Sequence, residues 1–160
     1  MSKPANPVET TDTLQDQAMQ RSNTNNAPRS AIHQTLYSAD TFIQYDYLAG
    51  KNLPDITRPQ EGQINWLHFV GINDVTLLKH ALEPYGIHEL VIEDTLSRKQ
   101  RPKIEDYGSY VFTAAQGYHY TSTGKLHSDQ VYVIIGKDFV LSFQQKPLGL
   151  FSHLRRPLHE

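Results

Sequence analysis

The side chains best placed to do chemistry are the adjacent carboxylates Glu93 and Asp94, set in Gly86-Ile87-His88-Glu89-Leu90-Val91-Ile92-Glu93-Asp94-Thr95-Leu96. Neighbours on a helix point about 100° apart, so these two do not chelate one ion unaided. Asp94 with a carboxylate from elsewhere would hold a hard cation such as Mg²⁺, which takes oxygen ligands and usually keeps several waters. The plainer alternative is a solvated acidic helix face. Glu105 and Asp106 read as surface loop charges.

The eight histidines offer less. A zinc hydrolase would place His-Glu-x-x-His on one helix, whereas His88-Glu89 is followed by Leu90-Val91-Ile92. His80 and His88 fall on different predicted helices, and His68 alternates with Trp66 as a hydrogen-bonded core residue. His119 and His127 flank a turn and meet across a hairpin, but a pair alone is a weak transition-metal site. There is no Gly-x-Ser-x-Gly elbow, phosphate-binding loop or Gly-x-Gly-x-x-Gly. Nothing therefore argues for an enzyme. Tyr118 and Tyr120 beside Gly117 suggest base stacking on a sheet. A net charge of -2 without a clustered basic face argues against a nucleic-acid partner.

The rest of the chain must position these groups. Its 38% hydrophobic and 20% charged composition is ordinary for a globular domain. The chain has no cysteine, which removes disulfides, thiolate zinc sites and cysteine nucleophiles and fits a cytoplasmic location. The longest apolar run is Val131–Ile135, far short of the roughly 20 residues a membrane-spanning helix needs. No signal-peptide apolar core precedes Ala5-Asn6-Pro7.

Residues 1–30 are polar and carry no aromatic side chain, so they read as a flexible tail, with a short helix over Thr13–Arg21. A folded domain is expected over 31–148, and the start of a helix over 149–160. Gln34–Tyr37, Phe42–Tyr47 and Asn65–Gly71 have the β-branched and aromatic content of strands. A helix follows, capped by Asn73 or Asp74, with Val75, Leu78, Leu82 and Tyr85 inward and Gly86 as its left-handed stop. A second helix is predicted from His88 to Ser97, with Leu90, Val91 and Leu96 inward. Arg98, Lys99 and Arg101 complement its negative end, and Pro102 stops it. Ser109–Tyr120, Leu126–Gly136 and Phe139–Gln145 form a three-stranded antiparallel meander. The fold class is α/β (α+β), a mixed sheet packed against helices.

Read in order, the motifs resemble the cytosolic domain of CorA-type divalent-metal transporters. The resemblance runs over roughly residues 35–155. It is carried by Trp66-Leu67-His68-Phe69-Val70-Gly71, the Leu77-Leu78 helix, Gly86-Ile87-His88, Glu93-Asp94 and Gln100-Arg101-Pro102-Lys103. Tyr107 to Phe112, Ser128-Asp129-Gln130-Val131 and Phe139-Val140-Leu141-Ser142-Phe143-Gln144 complete it. Each motif is weak alone; their order and spacing make the match.

The resemblance implies a mixed sheet sandwiched by helices, ending at the start of a long stalk helix, in a homopentamer at the cytosolic face of the membrane. It implies passive Mg²⁺ and Co²⁺ transport gated by intracellular Mg²⁺. The position of Asp94 supplies one inter-subunit metal ligand, Glu93 lies nearby, and a carboxylate on the neighbour's long helix completes the site. Pore helices, a Gly-Met-Asn signature and that partner carboxylate are not found up to Glu160, and Pro157 falls where the stalk helix would run. The expectation is thus a regulatory domain that cannot transport alone, holds half a metal site and binds no cofactor tightly. The competing expectation is a freestanding interaction domain descended from a truncated transporter; an oxygen-ligand metalloenzyme ranks last.

Overall fold

A computed structural model describes residues 30–48, 54–97, 100–121 and 123–146, together with Leu150, Phe151 and Leu154. The tail up to residue 29, the helix expected over Thr13–Arg21, Arg98, Lys99 and most of the expected final helix lie outside the described residues. Strands β1 (Ala31–Tyr37), β2 (Phe42–Leu48) and β3 (Ile64–Val70) come first. Helices α1 (Val75–Leu82) and α2 (Glu89–Leu96) follow, joined by a 3₁₀ turn over Glu83–Tyr85. The chain then forms β4 (Lys103–Asp106), β5 (Tyr110–Tyr120), β6 (Leu126–Gly136) and β7 (Phe139–Gln144).

The seven strands make one sheet in the order β2-β1-β3-β7-β6-β5-β4. Every pairing is antiparallel except β3 with β7, where Leu67 lies opposite Leu141 and Phe69 opposite Phe143. The helices between β3 and β4 bury alternate strand residues on one face. Ile32, Leu67, Phe69, Phe112, Tyr132, Ile134 and Leu141 pack there with Leu78, Leu82 and Val91. Each such aliphatic side chain contributes about 1.5–3 kcal/mol by leaving water. Gln34 and Asn65 are buried in the same sheet without cost, because each is bonded. Gln34 Nε2 donates to Asn65 Oδ1 (2.9 Å) and the Thr57 carbonyl (2.7 Å), Tyr47 donates to Gln34 Oε1 (3.0 Å), and Asn65 Nδ2 donates to Tyr85 Oη (2.6 Å).

The helix ends follow local chemistry. Asp74 Oδ1 accepts from Thr76 N (2.9 Å) and Leu77 N (3.1 Å), satisfying two orphan donors at the start of α1. Gly86 adopts φ 62°, the left-handed conformation that a glycine takes without strain. His88 caps α2, its Nδ1 accepting from Leu90 N at 3.2 Å.

Three expectations are corrected. The meander has four strands, because Lys103–Asp106 pairs with β5 in the register Lys103↔Ala114 to Asp106↔Val111. Glu105 and Asp106 are therefore strand residues, and their charge protects an edge of the sheet. In α1 the buried face is Leu77, Leu78, Ala81 and Leu82, and Val75 is exposed. In α2 it is Val91, Ile92 and Thr95; Leu90 lies one residue off that stripe, about 100° round the helix, and is 62% exposed.

Candidate functional site

Asp94 sits in the last turn of α2, beside the start of β4. Its Oδ1 accepts from Gln100 Nε2 at 2.8 Å, and its Oδ2 accepts from Lys103 Nζ at 2.8 Å. Lys103 Nζ also donates to both Glu105 oxygens at 3.1 Å, since residues two apart on a strand share a face. The Tyr107 hydroxyl donates to Glu105 Oε2 at 3.2 Å, and Lys103 Nζ stands 5.3 Å from the centre of the Phe112 ring. The Asp94 and Lys103 side chains are each 28% exposed, so this corner is neither dry nor freely solvated. Glu93 is exposed and does not join it. The sequence-predicted pair is thus split: Asp94 enters a network, and Glu93 faces solvent beside it.

The electrostatics follow the geometry. The Asp94 carboxylate bonded to its ammonium holds the Lys103 pKa above the ordinary value, against partial desolvation and with help from Glu105. Below them, Tyr132 donates its hydroxyl to the Ser97 carbonyl. Burial pushes the Tyr132 phenol up to about 12, and the charges of Asp94 and Asp129 add to the effect. Among the described residues, no group of three or more His, Asp or Glu side chains converges on one point. Asp94 presents one carboxylate rather than a closed cage, so a hard cation there would keep most of its waters and would have to displace Gln100 or Lys103.

The histidines resolve as follows. His119 and His127 are cross-strand partners with ring centres 5.7 Å apart, as their spacing about the turn predicts. His68 is buried and bonded through Nδ1 to Ser142 Oγ at 2.8 Å. Asp46, His33, His68 and Ser142 form a row across β2, β1, β3 and β7 on the face away from the helices. His33 Nδ1 donates to Asp46 Oδ1 at 2.6 Å, and the His33 and His68 rings stack at 5.9 Å. Ser142 is 1% exposed and accepts from Trp66 Nε1, so it is a structural hydroxyl rather than an accessible nucleophile. Sequence reasoning did not find this row, because strand order is not written in the local pattern. Phe151 covers part of it, its ring 4.8 Å from that of His68.

Comparison with known proteins adds the family. Residues 61–159 match the model of the CorA-like Mg2+ transporter protein family. The Cobalt/magnesium transport protein CorA of Thermotoga maritima is 37% identical over 91 residues, which cover 56% of this chain and 26% of that protein. The chain thus spans 26–36% of the length of the curated relatives it matches. Among solved structures, the soluble domain of CorA from Methanocaldococcus jannaschii superposes with a TM-score of 0.57 at 10% identity. That match covers 77% of this chain and 44% of the other. The full-length CmaX protein gives a TM-score of 0.58 at 16% identity, covering 82% of this chain and 39% of its own. At such identities these two establish the fold alone, the mixed sheet with helices that the sequence motifs implied. Among the described residues, no helix is long and apolar enough to cross a membrane. The ordered motifs, the sheet topology and the match over most of the folded region lead to one conclusion: the chain belongs to the CorA-like Mg2+ transporter protein family.

Proposed function

We propose that this chain is the cytosolic cation-sensing domain of a Mg²⁺/Co²⁺ transporter, with Asp94 as its half of an inter-subunit divalent site. The observation that carries the proposal is the placement of Asp94. Its carboxylate is fixed between Gln100 and Lys103 yet remains 28% exposed at the corner of the fold. The fold holds this carboxylate in one orientation, and an ion that binds it takes the place of one of these two donors. Glu93, exposed on the preceding helix position, adds negative potential without serving as a second direct ligand.

In this reading the domain self-associates, as a homopentamer in the assembled transporter, and Mg²⁺ bridges Asp94 to a carboxylate of the adjacent subunit. The ion stabilises the closed arrangement because it binds that arrangement more tightly than the open one. Its loss leaves facing carboxylates that repel and separate. The transported ion is cargo, and its path lies in segments outside this chain.

The test is Mg²⁺ inhibition of transport by the membrane-inserted protein that carries this domain. Asp94→Asn is expected to shift the inhibitory Mg²⁺ concentration upward, and Glu93→Gln to shift it less. Inhibition by Mg²⁺ at the wild-type concentration in Asp94→Asn would exclude Asp94 from the sensor.

A further inference from the structure

The Asp94 corner already contains a cation. Lys103 Nζ lies 2.8 Å from Asp94 Oδ2 and 3.1 Å from each Glu105 oxygen, a position between two carboxylates that a bound metal ion would also favour. The other Asp94 oxygen is taken by Gln100. Both oxygens are therefore engaged within the chain, and an incoming ion meets a competitor rather than a bare carboxylate. The competitor is tethered, because β4 holds the Lys103 backbone in register with Ala114 while the ammonium lies over the Phe112 ring.

We infer that Lys103 is an internal counter-cation that sets the divalent affinity of Asp94, with Glu105 as the site to which it retreats when an ion binds. This rests on the assignment of Asp94 as a cation ligand. Two features of the geometry support it. First, a divalent ion and an ammonium at the same oxygen repel each other, so binding requires Lys103 to leave Asp94 Oδ2. Second, the retreat is short. Glu105 holds Lys103 through both oxygens before any ion arrives and is itself steadied by Tyr107, so Lys103 gives up one partner without losing all pairing. Complete loss of partners would make displacement far more costly, because an ammonium in a partly desolvated corner needs one. The arrangement raises the concentration at which the ion binds while keeping binding reversible. It also favours divalent ions over monovalent ones, since a monovalent cation gains little by replacing an ammonium already in place.

The role of Lys103 separates from that of a simple ligand set by substitution. Lys103→Met keeps the apolar stem over Phe112 and removes the charge; Lys103→Arg keeps the charge. The measurement is titration of the isotopically labelled 160-residue chain. Mn²⁺ serves as a paramagnetic oxygen-seeking probe read at the backbone amides of residues 93–95, and Mg²⁺ as its competitor. Lys103→Met is expected to tighten Mn²⁺ binding there by about tenfold, equivalent to about 1.4 kcal/mol, and Lys103→Arg to leave it near the wild-type value. Glu105→Gln is expected to weaken binding in the wild-type background and to have no effect in Lys103→Met, because no ammonium then needs a place to go. A Glu105→Gln effect of equal size in both backgrounds would make Glu105 a direct ligand and overturn its role as the retreat.

The two layers fail differently. Broadening at 93–95 that Asp94→Asn abolishes and Lys103→Met leaves unchanged in affinity would overturn the role of Lys103 and keep Asp94 as a ligand. The same affinity in both Lys103→Met and a second neutral variant, Lys103→Gln, would establish that the charge rather than the methionine side chain is responsible. Broadening insensitive to Asp94→Asn in both wild type and Lys103→Met, or absent from 93–95 in both, would overturn the cation site and the role of Lys103 together.

Discussion

The Trp66 indole donates to Ser142 Oγ at 2.9 Å and so ties β3 to β7 at the parallel join of the sheet. The same oxygen meets His68 Nδ1 at 2.8 Å, so one buried hydroxyl serves two ring nitrogens. The pairing of these two strands brings the first half of the chain against the last described strand. A contact at that join therefore reports closure of the whole sheet.

Ser142→Ala is expected to destabilise the domain by about 1–3 kcal/mol, because it removes at a buried position the hydroxyl that bonds both Trp66 and His68. Trp66 is the chain's single tryptophan, so its fluorescence follows both the unfolding transition and the local change. A urea midpoint equal to wild type would show that water reaches the indole.

The two leucines of the helical pair separate packing from pattern. Leu82 is 0% exposed and Leu90 is 62% exposed. Leu82→Ala is expected to cost about 2–5 kcal/mol, through lost burial and the cavity left behind. Leu90→Ala is expected to lie within about 0.5 kcal/mol of wild type. Denaturant unfolding of the two variants measures the contrast, and equal losses would contradict the inward face assigned to α2.

Gly136 ends β6 against the Phe139 ring. A Cβ there would stand 2.2 Å from Phe139 Cε1 and 2.3 Å from Cζ. Gly136→Ala is therefore expected to cost about 1–3 kcal/mol by overpacking. Phe139→Leu made in the same chain relieves the clash, so the double variant should be more stable than the sum of the single losses. Strict additivity would mean that the ring turns aside freely.

At alkaline pH the corner around Asp94 is expected to weaken. The folded pKa values of Lys103 and Tyr132 both lie above their ordinary values, with Tyr132 at about 12. The stability they contribute is fully present below about pH 10 and is lost as pH rises through the folded values, because the unfolded chain gives up these protons first. The Lys103 share is small, since the pair is partly solvated. Urea midpoints across the alkaline range should fall in wild type and fall less steeply in Tyr132→Phe. Identical slopes would place the loss on other tyrosines and lysines.

Much of the architecture was legible in the chain. Strands with alternating apolar residues, an Asp cap at Asp74, a left-handed Gly86 and turns at Thr121–Gly124 and Gly136–Asp138 act over a few residues, so local chemistry determines them. The order of motifs about Glu93-Asp94 was enough to place the family. What local pattern did not contain was pairing. Lys103–Asp106 is too short and too charged to announce a strand, and it becomes one because β5 offers it an edge. Leu90 looked inward beside Val91 until the packing of α2 buried Ile92 and Thr95 instead.

The same division governs the candidate site. The sequence by itself determined which residue is the candidate, because Asp94 stands out by type and by the motifs that flank it. Only the tertiary structure decided its partners. Gln100 comes from the connection to β4 and Lys103 from the first position of the strand; both reach Asp94 because β4 docks beside the last turn of α2, and Glu105, two residues along the strand, holds Lys103 from the other side. Opposite charges several residues apart in a chain have no fixed distance until the backbone between them is folded. The fold fixes that distance at 2.8 Å, and so gives Asp94 a cation of its own before any metal ion arrives.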